Sequence, residues 1–284
     1  MDQTNNSQPA PPVDVKGVFY SKNAKLARLL PGFIFRFLKR IVHEDEMNVF
    51  LKKHGQKLDL DFIDAVIKDF KVSIETHGEE NIPEAGRFIF AANHPLGGFD
   101  GLVLMQIINR HFGNFRFLVN DILMNISNIR GLFIPINKHG SLAFESARLI
   151  DKTFQSDTQL LTFPSGMVSR RIKGQVRDLE WQKSFIIKAV KFQRDVIPVH
   201  FSGRNSNFFY NLSNFRSGFG IKANIEMLYL ADETYKHKND HMVVHFGKPI
   251  PWQTFDRSKR PNEWAQWVKD KVYNLADREQ SISP

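Results

Sequence analysis

The chain has 284 residues, 42% of them hydrophobic and 12% aromatic, enough to bury one substantial core, so a single α/β domain with appendages is expected. Its lack of cysteine excludes disulfides, thiolate metal sites and a cysteine nucleophile. Its formal charge of +9 points to an anionic partner, whether nucleic acid, a phosphorylated metabolite or acidic lipid headgroups, and charge alone does not choose among them.

Residues 1–20 open with MDQTNNSQPAPP, which has neither the basic start nor the apolar centre of a secretory signal, and read as a disordered tail. Residues 21–70 read as a helical, membrane-docking segment. Its core, Leu29 to Val42, is broken by Arg36, Lys39 and Arg40 and falls short of the roughly 20 uninterrupted apolar residues that a spanning helix needs. On a helix, Ile34, Phe37, Leu38 and Ile41 form one stripe that Phe33 widens, the pattern of an interfacial amphipathic helix. The same stripe would also serve to pack on the main domain, and the residues alone leave both uses open. Asp59 to Phe70 predicts a further helix, and Lys71 to His77 a short strand.

From Arg87 onward, in the span 71–284, strands alternate with helices. Strands are predicted at Arg87–Ala92, Phe115–Asn120, Gly131–Ile136, Gln159–Phe163 and Val196–Phe201, with helices at Gly101–Phe112, Ser141–Phe154 and Ser184–Phe192 between them. Two later strands, Asn224–Leu230 and His241–Phe246, precede a closing amphipathic helix at Asn262–Ala276. This rhythm predicts an α/β fold with a mostly parallel or mixed central sheet, flanked by helices on both faces, behind an N-terminal amphipathic helical segment.

In open α/β sheets ligands bind outside the carboxyl ends of the strands. The residues placed there are Asn93 to Asp100, Asn137 and Lys138, Pro164 to Arg171, and Ser202 to Asn205. His94 is a base at neutral pH, and Asp100 is near enough to fix its tautomer, although an aspartate there also suits the N-cap of the following helix. Gly97 and Gly98 between them let the chain turn back and leave backbone N–H groups to face an oxyanion. Lys138, Arg170, Arg171 and Arg204 supply cations for a phosphate or carboxylate. His200 and His245 lie inside predicted strands and read as packed histidines, and Trp181 as a buried ring.

Four ordered blocks resemble the glycerolipid acyltransferase superfamily, which includes bacterial 1-acylglycerol-3-phosphate acyltransferases. They are Asn93-His-Pro-Leu-Gly-Gly-Phe-Asp100, Gly131-Leu-Phe-Ile-Pro-Ile-Asn-Lys138, Phe163-Pro-Ser-Gly-Met-Val-Ser-Arg170, and Ile197-Pro-Val199. Departures are specific. Five residues rather than four separate His94 from Asp100, Ser165 stands where the family has glutamate, Lys138 replaces an arginine, and Arg170 or Arg171 falls a place or two late. These departures imply an acceptor other than lysophosphatidic acid. The stretches DLEW and RDVIPVHF, with the residues after them, are most similar to a Bacteroidetes branch that acylates the hydroxyl of an acylated amino-acid lipid, as in glycine-lipid or ornithine-lipid synthesis.

The resemblance implies direct O-acyl transfer to the hydroxyl of a lysolipid, an acylated amino-acid lipid or lysophosphatidic acid, in membrane lipid biosynthesis, with His94 as base and Asp100 as its carboxylate. Asn93, Gly97, Gly98, Lys138, Ser165, Gly166, Arg170, Arg171 and Arg204 would line the substrate site. The co-substrate would be acyl carrier protein or coenzyme A carrying the acyl thioester, with no cofactor or metal required. The partners implied are a lysolipid acceptor and a membrane surface with anionic lipids, at the cytoplasmic face of the inner membrane. Ser165 lacks the glycine-x-serine-x-glycine elbow of a nucleophile and reads as a small residue shaping the site. A catalytically silent lipid-binding protein of the same fold is the competing expectation. Nucleic-acid binding has no recognisable reading motif behind it.

Overall fold

The computed structural model describes residues 10–136 and 142–280. Four helices precede the sheet: α1 (Val15–Leu29), α2 (Gly32–Val42), α3 (Glu44–His54) and α4 (Asp59–Phe70). The expected tail therefore ends early, because helix starts at Val15. It is tied down by long-range bonds: the Val15 amide donates to Glu44 Oε2 at 2.8 Å, and the Asn48 carboxamide pairs with both backbone groups of Val13.

The α2 stripe also divides differently from the sequence reading. Phe35 and Ile41 turn inward, with Phe35 against Phe19 and Tyr20 of α1, while Phe33 and Phe37 stay exposed beside Arg36 and Arg40. Among the described residues no helix is long and apolar enough to cross a membrane.

The strands of the main sheet are β1 (Ser73–His77), β2 (Phe88–Ala92), β3 (Phe115–Val119), β4 (Phe133–Pro135), β5 (Gln159–Thr162), β8 (Asp195–Phe201) and β9 (His241–Phe246); β6 (Arg170–Ile172) and β7 (Gln175–Arg177) stand apart from it. The seven lie in the order β1-β9-β8-β2-β5-β3-β4. All neighbours are parallel except β8 and β9. Central β2 is buried throughout and feeds two cores by the two-residue period of a strand. Phe88, Phe90 and Ala92 pack with α4 and α5 (Phe99–Phe112), whereas Ile89 and Ala91 pack with α7 (Ser184–Phe192) and α10 (Pro261–Gln280). Helix α6 (Leu142–Gln155) joins β4 to β5.

Two features differ from expectation. First, β6 and β7 form a two-stranded ribbon closed by Lys173 and Gly174 at φ 49° and 84°, the paired positive φ of a tight hairpin. Second, residues 225–230 form no strand. Ile225–Tyr229 is a 3-10 turn leading into α9 (Leu230–Lys236). The reason is Glu226, which is fully buried and must be turned toward its cationic partners, Arg170 and Arg216.

Because β9 runs against β8, residues 202–240 leave and rejoin the sheet at its carboxyl edge. This excursion carries α8 (Asn207–Gly218) and α9. It also holds the N-terminal helices: the His43 ring stacks on Tyr235 at 4.0 Å and its Nε2 meets Asp232 at 3.1 Å.

Candidate active site

The site begins where β2 stops. Asn93 is buried, and its carboxamide donates to the Phe201 carbonyl at 2.9 Å and accepts the Phe201 N–H at 2.7 Å. Both ends are thus committed to pairing the strand ends, a correction to its expected place among substrate-binding residues. His94 follows, its side chain 15% exposed. Gly97 then takes φ 84° with Leu230 so close that a Cβ would lie 2.4 Å from its Cδ1, so only glycine fits. Gly98 is exposed at the N-cap position of α5, without a side-chain cap.

Asp100 consequently lies inside the first turn of α5 instead of capping it, and the extra residue of spacing is taken up by the glycine turn. Its buried carboxylate meets His94 Nδ1 at 2.9 Å and accepts the N–H groups of Leu96 at 3.1 Å and Gly101 at 2.9 Å. With Nδ1 facing a carboxylate, the tautomer that leaves Nε2 as the basic nitrogen is favoured. Among the described residues Nε2 has no hydrogen-bond partner.

The backbone around His94 is held by a network built on a residue that the sequence reading left without a role. Asp178 accepts the His94 N–H at 3.2 Å, the Ser169 hydroxyl at 2.5 Å and the Trp181 indole N–H at 2.8 Å, while its own N–H donates to the Tyr273 hydroxyl at 2.7 Å. Burial pushes the Asp178 carboxyl up, and these donors oppose the shift. Trp181 is buried, as expected. The Ser169 N–H closes the link by donating to the His94 carbonyl at 2.8 Å. Only the string Asp178-Leu-Glu-Trp181 hinted at this network.

Ser165 donates its hydroxyl to the Met167 carbonyl at 2.7 Å, and Gly166 beside it takes φ 65°; the pair shapes the turn below Phe163. Of the four expected cations, Lys138 lies outside the described residues. Arg170 points inward, against expectation: buried over Phe209, it donates to Glu226 at 2.9 Å and to the Val168 carbonyl at 2.8 Å. Arg216 meets the same Glu226 at 2.7 Å, completing a buried triad. Burial, opposed by Glu226, lowers the Arg170 pKa.

Arg171 is half-buried and Arg204 exposed. Both donate to one atom, Asn207 Oδ1, at 3.2 Å, and Arg171 also reaches Asn211. Among the described residues neither has a carboxylate partner. Two guanidinium groups thus share one neutral amide oxygen. His200 and His245 are buried in register with His77 across β8, β9 and β1. Burial, with the adjacent His245 adding, pushes His200 down to about 4.

Set beside known proteins, residues 17–281 match a family model described as Acyltransferase. A lyso-glycine lipid O-acyltransferase from Bacteroides thetaiotaomicron is 49% identical over 264 residues, 93% of this chain and 97% of that protein. One of the same description from Phocaeicola vulgatus is 47% identical over 264 residues, 93% of this chain and 95% of that protein. The crystal structure of the 1-acyl-sn-glycerophosphate (LPA) acyltransferase PlsC from Thermotoga maritima covers 86% of this chain and 93% of its own at TM-score 0.46 and 18% identity, too distant to bear on the site.

Proposed function

The chain belongs to the acyltransferase family, and from that premise we propose that it moves a fatty acyl group from a thioester donor to the hydroxyl of a lysolipid, a lyso-glycine lipid. The observation that carries this reading is the His94–Asp100 contact at 2.9 Å, with Nε2 left open at the rim. The substrate class follows the description that both relatives share.

In this reading Nε2 takes the proton of the acceptor hydroxyl as its oxygen attacks the thioester carbonyl, and Asp100 stabilises the imidazolium through Nδ1. First-turn N–H groups of α5 other than that of Gly101, which Asp100 already accepts, stabilise the tetrahedral oxyanion. Collapse expels the thiolate, which receives the proton back from Nε2. The donor in this reading is an acyl carrier protein or coenzyme A thioester, and the reaction runs at the cytoplasmic face of the inner membrane. Arg171 and Arg204 hold the acceptor's carboxylate. Exposed Phe33 and Phe37 of α2, with Arg36 and Arg40, touch the bilayer from which the acceptor comes.

The test is turnover by purified protein given lyso-glycine lipid and each thioester, followed by mass spectrometry. Wild type forms the diacylated lipid; His94→Ala forms about 10²- to 10⁴-fold less while keeping its fold. Absence of turnover by wild type on any lysolipid would return the silent lipid-binding reading.

A further inference from the structure

We propose that α8 and the 3-10 turn after it form a second bilayer-contact edge, which works together with α2 as one aromatic face on an anionic leaflet. On α8, Phe208, Leu212 and Phe215 share one side at helical spacing, and Phe219 continues it past the helix end. Their rings stand in solvent: Phe208 is 49% exposed, Phe215 59% and Phe219 71%, with Leu228 at 55%. Phe215 and Phe219 touch each other at 4.5 Å between centroids without covering either. The other side of α8 is where the helix packs, through Phe209, Tyr210 and Ser213.

This edge is continuous with α2. The Tyr229 ring lies 4.9 Å from Phe208 on one side and 6.2 Å from Phe37 on the other, so the exposed rings of two distant chain segments join in one row. An exposed apolar face of this extent, on a chain with a charged surface elsewhere, marks an interaction site.

Charge selects the occupant. The chain has 30 acidic residues, yet none lies between Val15 and His43, nor between Gly203 and Ile225. Those two stretches contain α2 and α8. Arg36, Arg40, Arg204 and Lys222 are exposed along them. Aromatic rings among unopposed cations suit the interface of an anionic leaflet, to which each basic residue near the surface adds attraction. Asn207, which Arg171 and Arg204 share, directly precedes Phe208, so the two guanidinium groups border the face. A lipid with a carboxylate headgroup would meet both guanidinium groups with its chain still in the leaflet. That last step rests on the proposed function; the docking edge does not.

The experiment uses full-length protein and vesicles of equal parts phosphatidylcholine and phosphatidylglycerol, without substrates, so an enzyme inactive on lysolipids still gives an answer. Phe215→Ser with Phe219→Ser should weaken vesicle partitioning about tenfold, as should Phe33→Ser with Phe37→Ser, with circular dichroism unchanged. Phe219→Trp provides a reading independent of loss: the fluorescence of the introduced indole, with the wild-type signal subtracted, should be quenched by lipids brominated in their chains. Wild-type partitioning by the α8 pair, or an unquenched indole signal from the Phe219→Trp variant once bound, overturns the proposal. Retained vesicle binding with lost capture of an acidic carrier protein would overturn it too, and give the edge to that partner.

Discussion

His94 and Phe163 lie face to face, ring centroids 4.0 Å apart and planes 16° apart. The imidazole is thereby clamped in its plane by the aromatic ring and about its axis by Asp100. A base that cannot swing keeps Nε2 aimed at one point on the rim.

Asp100→Asn should lower kcat on the order of 10³-fold and leave the acceptor KM nearly unchanged. Both oxygens of the carboxylate accept N–H groups, so the amide must turn its NH₂ against one donor or against Nδ1, and the latter favours the tautomer with a proton on Nε2. Steady-state kinetics with a thiol-release readout decides it, and a loss under about tenfold would remove Asp100 from the reaction.

Arg204→Ala and Arg171→Ala should each raise the KM for a carboxylate-bearing lysolipid about tenfold or more, the worth of a charge-assisted hydrogen bond, with kcat little altered. Methyl esterification of the acceptor should abolish the difference between variants and wild type. A variant that discriminates equally between acid and ester would show that the guanidinium groups hold something else.

Glu226→Gln should destabilise the protein by about 3–5 kcal/mol in urea unfolding, because Arg170 and Arg216 are then left as uncompensated, largely buried charges. Replacing the buried Arg170 by Met should cost less, since it removes a charge whose burial already opposes it. The reverse order would mean that Arg170 reaches solvent.

His200 sets a pH dependence of stability. Its folded pKa, about 4, lies below the ordinary 6.5, so the unfolded chain binds the extra proton between these values. Stability from this group is complete above pH 6.5 and falls as pH drops toward 4, by about 3 kcal/mol at the limit. His200→Phe should flatten that part of the stability curve, measured by urea titration across the same range. An unchanged slope would place a charged imidazole in the native state.

How much of this was legible in the sequence differs from element to element. The strands and the turn from Asn93 to Asp100 were readable because apolar runs ended in glycine and polar residues at each sheet edge. Residues 225–230 mislead because Ile225, Met227 and Tyr229 alternate like a strand, while the deciding force, the pull of Arg170 and Arg216 on Glu226, comes from outside the segment. Adjacent arginines looked equivalent until the ribbon sent Arg170 inward and Arg171 outward, a consequence of strand alternation once β6 is known. The ribbon itself was signalled by Lys173-Gly174 between short alternating runs. Asp178 had only the local string Asp178-Leu-Glu-Trp181 to mark it, since the partners that tie it to the site lie 84 residues before it and 95 after it.

The reversal of β9 has an evolutionary side. A stretch that departs from and returns to the same edge can gain or lose length without shifting the register of any strand. Changes in α8 and its neighbours can therefore accumulate while His94, just after β2, and Asp100, on α5, keep their places.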